Sequence, residues 1–261
     1  MGILDGKTML VSGVGSGLGR RIALAAAREG ANLALVARNK DMLASVVQEI
    51  TADSGLAVSH VADISSEEQC QAAVDAVVAR FDGLDALVNC AAMDSVFGGV
   101  EVTSPEDWQR TLEVNVLGSM RMIRSALDPL RTHGGSIVFI GSQTMYMAPG
   151  EVPQIAYAAS KGALLGAMRH LTREVGPAGI RVNMVTPGWM WGPAVQGYVR
   201  NMAQAEGVAE EAVLARLTRD MPLQRMPTDA EVAEAVIFLS SPRASGITGQ
   251  SLLVNAGEYM Q

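Results

Sequence analysis

Tyr157 and Lys161 stand four residues apart in the stretch Tyr157-Ala158-Ala159-Ser160-Lys161. On a helix that spacing puts both side chains on one face, with Cβ atoms about 5–6 Å apart. A phenol has pKa ~10 and exchanges protons poorly at neutral pH. A neighbouring ammonium favours the phenolate, and a lowering worth roughly 3–4 kcal/mol would bring the group towards neutrality. The pair is expected to give and take a proton. The plainer reading is an exposed pair of no consequence, but the chain has four Tyr, and Lys stands only at 7, 40 and 161, so chance would rarely produce this spacing. Ser142 directly follows an apolar run at 136–140, where a hydroxyl could hold a substrate oxygen, although loop serines more often serve turns. Asn115 interrupts the apolar stretch Glu113-Val114-Asn115-Val116. A buried Asn must be hydrogen-bonded, so it either satisfies a kinked helix or organises water.

A second chemistry sits near the start. Ser12-Gly13-Val14-Gly15-Ser16-Gly17-Leu18-Gly19 separates an apolar run at 9–12 from a helical stretch at 20–29. Glycines there let phosphate oxygens approach backbone N–H groups, and the helix N-terminus adds partial positive charge. The spacing Gly13-x-x-x-Gly17-x-Gly19 fits a dinucleotide loop better than an ordinary turn, because it follows the first strand-like run. Arg38 stands nineteen residues after Gly19, at the end of the next apolar run. An acid near this place would bind the ribose 2′-hydroxyl of NAD, whereas an Arg accommodates the 2′-phosphate of NADP. The expectation is NADP, with NAD as the alternative and a solvated surface Arg as the bland reading of Arg38.

These residues need a scaffold. Strand-like runs at 9–12, 33–37, 58–62, 86–89, 136–140, 182–186 and 251–254 alternate with helical stretches at 20–29, 41–51, 65–80, 105–131, 157–175 and 230–240. Short strands alternating with helices predict an α/β chain, a Rossmann-like doubly wound and mostly parallel sheet with helices on both faces. No composition break, linker or repeat appears, so a single domain over 1–261 is expected. Ligands in such sheets lie beyond the carboxyl ends of the strands. The segment 189–226 mixes Gly192, Gly197, Gly207, aromatics and Met, and is expected to form a substrate lid.

Composition narrows the function classes. Apolar residues make up 49% and charged residues 18%, which excludes a disordered chain. A net charge of −7 without a basic run argues against nucleic acid. No apolar stretch approaches the ~20 residues of a membrane helix, and the N-terminus resembles no signal peptide, so a cytoplasmic protein is expected. Two cysteines and three scattered histidines suggest neither a disulfide framework nor a metal site. Met145, Tyr146 and Met147, then Trp189, Met190 and Trp191, flank the chemical residues. Met147, Trp189 and Trp191 are the expected pocket residues for an apolar substrate, because these loops carry no cluster of carboxylates or Arg.

Taken together, Gly13/Gly17/Gly19, Asp63, Asn89, Asn115, Ser142, Tyr157 with Lys161, and Pro187-Gly188 resemble the short-chain dehydrogenase/reductase family in type and order, from about Gly6 to Gly257. The resemblance implies Tyr157 as acid/base and Lys161 as the group that lowers its pKa and holds the nicotinamide ribose. It implies that Ser142 orients the substrate oxygen and that Asn115 supports a proton-relay water. Cofactor contacts would come from Gly13, Ser16, Gly17, Leu18, Gly19, Arg38, Asp63, Ile64, Asn89, Tyr157, Lys161, Pro187 and Gly188. A homotetramer, built partly from the helix at 230–240 and the last strand, is also implied. The expected activity is hydride transfer between nicotinamide and a carbonyl or secondary alcohol. A same-fold epimerase or dehydratase that recycles its cofactor is the enzymatic alternative. A cofactor-sensing module is the non-enzymatic one, and it has no need of the Tyr157 proton. Substrate identity, physiological direction and stereochemistry are not written in these motifs.

Overall fold

Seven short apolar runs pair side by side into one parallel sheet in this computed structural model, which describes residues 2–150 and 152–261. Met1 and Glu151, which the one-domain reading includes, lie outside the described residues. The strands are β1 (Thr8–Ser12), β2 (Asn32–Ala37), β3 (Leu56–Val61), β4 (Ala86–Asn89), β5 (Gly135–Ile140), β6 (Ile180–Pro187) and β7 (Ser251–Val254). Their order across the sheet is β3-β2-β1-β4-β5-β6-β7. Central strands β1 and β4 are buried along their whole length. That explains why they read as continuous apolar runs and not as alternating ones. The order reverses between β1 and β4, so their carboxyl ends, Ser12 and Asn89, mark the crevice where a ligand fits.

Helices cover both faces. On one side lie α1 (Leu18–Arg28), α2 (Lys40–Ala52) and α9 (Asp229–Ser240), which close a core containing Ile22, Val46 and Val236. On the other lie α3 (Glu67–Phe81), α5 (Ser119–Arg131) and α6 (Ile155–Val175), around Val74, Met122 and Met168. Fully burying one such aliphatic side chain contributes roughly 1.5–3 kcal/mol. Local signals set the helix ends. Ser66 caps α3 by accepting from the Gln69 N–H, and Thr228 and Glu231 form a reciprocal capping box on α9. The α9 residues Val232, Val236 and Leu239, on the helix that the resemblance implies at a subunit contact, are buried within the chain's own core.

Two stretches are more divided than their periodicity suggests. The region 105–131 splits into α4 (Pro105–Leu112), a π-helical turn (Glu113–Gly118) and α5. The segment 189–226 holds α7 (Pro193–Glu206) and α8 (Glu210–Thr218), joined through Gly207 at φ +68°. These two helices share a small core of Val199, Ala203, Val213, Leu217, Met221 and Met226, which accounts for part of the methionine richness. Among the described residues no helix is long and apolar enough to cross a membrane.

Candidate active site

A cavity of about 750 Å³ runs along the carboxyl ends of the strands, from the glycine loop and Arg38 to Tyr157, Trp189 and Tyr198. The glycines divide into two pairs. A Cβ on Gly13 would lie 2.3 Å from the Ala91 backbone, and Gly13 holds φ +85°. A Cβ on Gly19 would meet the Gly13 carbonyl oxygen at 2.2 Å. Those two glycines let the loop pack onto the sheet. Gly15 and Gly17 also line the cavity, but a Cβ on either would meet nothing within 4 Å. Space is therefore open on the ligand side of the loop. Helix α1 has no side-chain cap, which leaves its first N–H groups available to an anion. This geometry fits a dinucleotide pyrophosphate. Ser16, Leu18 and Gly19 complete the wall.

Arg38 follows β2 and is largely exposed, with its guanidinium 4.0 Å from the Asp63 carboxylate. Asp63 accepts from the Ser65 N–H at 2.9 Å and the Ser65 hydroxyl at 2.7 Å. These bonds, with Arg38 nearby, hold its carboxyl below the usual range. Asp63 and Ile64 both line the cavity, as do Pro187 and Gly188. Asn89 does not. It is buried behind the lining, and neither its Oδ1 nor its Nδ2 has a hydrogen-bond partner among the described residues.

Tyr157 lies in the first turn of α6, and Lys161 one turn later is 2% exposed. Lys161 Nζ donates to the Ile140 carbonyl at 2.7 Å and sits 5.4 Å from the centre of the Tyr157 ring. Burial brings the ammonium down to about 8. The expected lowering of the Tyr157 pKa is not found. Burial pushes its hydroxyl above the ordinary phenol range, and the Asp94 carboxylate adds to that rise. The Ser142 hydroxyl works in the other direction. Desolvation of the phenolate dominates, while the ammonium, 5.4 Å from the ring centre, donates to the Ile140 carbonyl.

Ser142 sits at the end of β5 and lines the cavity, its Oγ accepting from the Thr144 hydroxyl at 3.0 Å. Asn115 occupies the π-helical turn and is fully buried. Its Oδ1 accepts from the Met93 N–H at 2.6 Å, and its Nδ2 donates to the Met93 carbonyl at 3.1 Å and to Ser160 Oγ at 2.9 Å. The side chain thus ties the loop after β4 to α6, and Asn115 is outside the cavity lining. Among the described residues its side chain bonds no backbone group of its own helix; it makes long-range bonds to Met93 and Ser160.

At the substrate end Met147 and Trp189 line the cavity, but Trp191 does not. Its backbone N–H donates to the Pro227 carbonyl at 2.7 Å, and its ring packs against the core of α7 and α8. Polar residues that no sequence motif singles out line the cavity as well, among them Asp94, Gln143, Asp229 and Glu258. Asp94 and Glu258 lie in loops after β4 and β7, so the strand-end rule was the available signal. The cavity is therefore less uniformly apolar than the loops around 145 and 189 suggest. Among the described residues, no group of three or more His, Cys, Asp or Glu could hold a metal ion.

The model of a family described as enoyl-(acyl carrier protein) reductase matches residues 13–258. A 3-oxoacyl-[acyl-carrier-protein] reductase from Staphylococcus aureus is 33% identical over 97% of this chain and 98% of its own length. A cyclopentanol dehydrogenase from Comamonas testosteroni is 34% identical over 98% of each. The solved structure of a short-chain type dehydrogenase/reductase from Mycobacterium ulcerans superposes with a TM-score of 0.87 at 32% identity, covering 98% of this chain and 90% of that one. The chain belongs to the short-chain dehydrogenase/reductase family. An actinorhodin polyketide ketoreductase variant, solved with NADPH, is similar at TM-score 0.88 and 30% identity over 99% of both chains.

Two departures from the family's usual residues have local consequences in this short-chain dehydrogenase/reductase. Cys90, in Asn89-Cys90-Ala91-Ala92, lines the cavity, but burial pushes its thiol up to about 11, which leaves it protonated and unreactive. Ala256, in Val254-Asn255-Ala256-Gly257, holds φ +56°, a conformation that costs an L-residue roughly 1–2 kcal/mol. The turn it makes directs the next residues towards the cavity.

Proposed function

We propose that this chain is an oxidoreductase that prefers NADP and interconverts a carbonyl and a secondary alcohol on a mainly apolar substrate. The observation that carries this reading is the convergence of Ser142, Tyr157 and Lys161 on the same cavity as the open glycine loop. NADP, held by the glycine loop, Arg38, Asp63, Ile64, Pro187, Gly188 and Lys161, would supply or accept the hydride at nicotinamide C4. Tyr157 supplies the proton. The hydroxyl carries the proton that carbonyl reduction consumes, although burial makes that proton costlier to give up than from a free phenol. As hydride adds to the carbonyl carbon, the C=O π electrons move to oxygen and Tyr157 gives that oxygen its proton. Ser142 holds the same oxygen, and Lys161 faces the phenolate left behind.

A panel of apolar ketones and alcohols with both cofactors, followed by the near-ultraviolet absorbance of reduced nicotinamide, tests this. Substrate-dependent oxidation of the cofactor is expected. Turnover of substrate without net absorbance change would favour the epimerase or dehydratase reading, and binding without turnover the sensing module.

Two further expectations join the proposal, a lid from the residues of 189–226 and a homotetramer from the family resemblance. The segment 189–226 acts as a lid, since Trp189, Val195 and Tyr198 face the cavity while α7 and α8 carry their own small core. Limited proteolysis within this segment is expected to slow several-fold when cofactor saturates the chain, and equal cleavage rates would count against a lid. The chain also forms a homotetramer. Among the described residues edge strand β7 pairs with β6 alone, and Leu252, Leu223 and Met260 are exposed near it. Light scattering at micromolar concentration should give four times the chain mass, and a monomer would overturn the proposal.

A further inference from the structure

Gln143, the neighbour of Ser142, is 5% exposed and has both ends of its amide engaged by the segment after β7. Its Oε1 accepts from Asn255 Nδ2 at 2.6 Å, and its Nε2 donates to Glu258 Oε2 at 2.9 Å. Asn255 Nδ2 also donates to the Tyr259 carbonyl at 2.8 Å, and its Oδ1 accepts from the Gly257 N–H at 3.1 Å. The rings of Tyr146 and Tyr259 stack with centroids 5.4 Å apart, and the Tyr146 hydroxyl donates to Ser251 at 3.0 Å. The 255–259 segment is thus fastened to the loop that carries Ser142.

This fastening brings a carboxylate into an otherwise apolar wall. Glu258 lines the cavity. A Cβ on Gly188 would lie 3.3 Å from Glu258 Oε2 and 3.0 Å from Gln143 Oε1, so the glycine leaves room for this approach. The carboxylate has no ion-pair partner among the described residues. Burial raises its pKa, the Gln143 bond lowers it, and among the described residues the charge acting on it is Asp220, which repels it. One neutral amide satisfies one oxygen, although a carboxylate can accept at several lone-pair positions. A half-buried, under-partnered carboxylate is stabilised by any ligand that brings it a donor. Anionic groups placed beside it are disfavoured, and Asp94 on another wall adds to this.

We infer that Glu258, held by Gln143, makes the pocket select substrates whose apolar body carries a hydroxyl or ammonium group remote from the reacting carbon. This inference rests on the oxidoreductase reading for the identity of the reacting carbon, but not for the binding of the donor group. Glu258 acts as a specificity residue and takes no part in the proton or hydride transfer.

The test uses cyclohexanones bearing a methyl, hydroxyl or ammonium group on the ring carbon opposite the carbonyl. The wild-type chain should favour the ammonium compound over the methyl compound by about tenfold or more in kcat/KM, mainly through KM. Glu258→Gln should remove most of that preference, and Glu258→Ala should remove the hydroxyl preference as well. Calorimetric titration with cyclohexylammonium and with cyclohexanol, with and without NADPH, reads the same site without turnover. Cyclohexylammonium should bind the wild type about tenfold more tightly than it binds Glu258→Gln. Ratios and affinities equal in wild type and both variants would overturn the inference. Failure of every ketone to turn over, with the ammonium still bound through Glu258, would overturn the oxidoreductase reading and leave the specificity assignment standing.

Discussion

Replacing Tyr157 with Phe is expected to reduce turnover by at least ~10²-fold, the lower range for a group that transfers a proton in the transition state. The ring is retained, so packing in the first turn of α6 and the contact with Lys161 should survive. Cofactor dissociation constants should therefore change little. Lys161→Ala should differ by weakening cofactor binding as well as turnover, because its Nζ lies between the Ile140 carbonyl and the Tyr157 ring in the same cavity. Steady-state rates combined with cofactor titrations separate the two outcomes. Retention of more than about a tenth of wild-type turnover by Tyr157→Phe would refute the acid/base role. Asn115→Ala should behave as neither does. It would loosen the loop at Met93 and the start of α6, lowering stability together with activity.

The contrast between Tyr157 and Asn115 marks how far residue spacing carries. All seven strands lie within a residue or two of the apolar runs, because a parallel sheet covered on both faces demands continuous hydrophobic strands. The placement of the glycine loop and of the Tyr157–Lys161 pair is legible for a similar reason: each is set by local spacing, on one strand-to-helix turn and on one helix. What spacing could not supply was long-range partnering. The Asn115 amide bonds Met93 and Ser160, partners 22 and 45 positions away that no local spacing indicates. Trp191 packs on the core of α7 and α8, as Trp189 does, but only Trp189 also reaches the cavity, a difference that residue type does not reveal. Glu258 and Gln143 lie 115 positions apart and meet only because β5 and β7 end at the same edge of the cavity. The Tyr157 pKa failed for an energetic reason. A sequence shows that an ammonium is near, but not that the phenol is buried, so that desolvation of the phenolate dominates.

Cofactor choice turns on Arg38, and the expected result is a preference for NADP over NAD of about 10- to 150-fold in dissociation constant. That range converts the roughly 1.5–3 kcal/mol of a hydrogen bond to a charged group. Arg38 stands just past β2, where the ribose of a dinucleotide ends, and no carboxylate of β2 itself points there. Its guanidinium is largely exposed and 4.0 Å from Asp63, a long contact that salt and solvent weaken. A phosphate with two negative charges can therefore draw it away and accept a two-pronged contact. Asn39, beside it on the cavity wall, caps α2 by accepting from the Met42 N–H at 3.0 Å, which brings the positive end of that helix to the same corner. Arg38→Ala should raise the NADP dissociation constant by most of that factor while leaving NAD within about twofold, because only the 2′-phosphate uses the guanidinium. The NADP effect should shrink at high salt, as expected for an exposed charge pair. Titrating wild type and variant with both cofactors decides the matter. Equal affinities in the wild type, or a ratio untouched by the substitution, would show that Arg38 serves only as a solvated partner of Asp63.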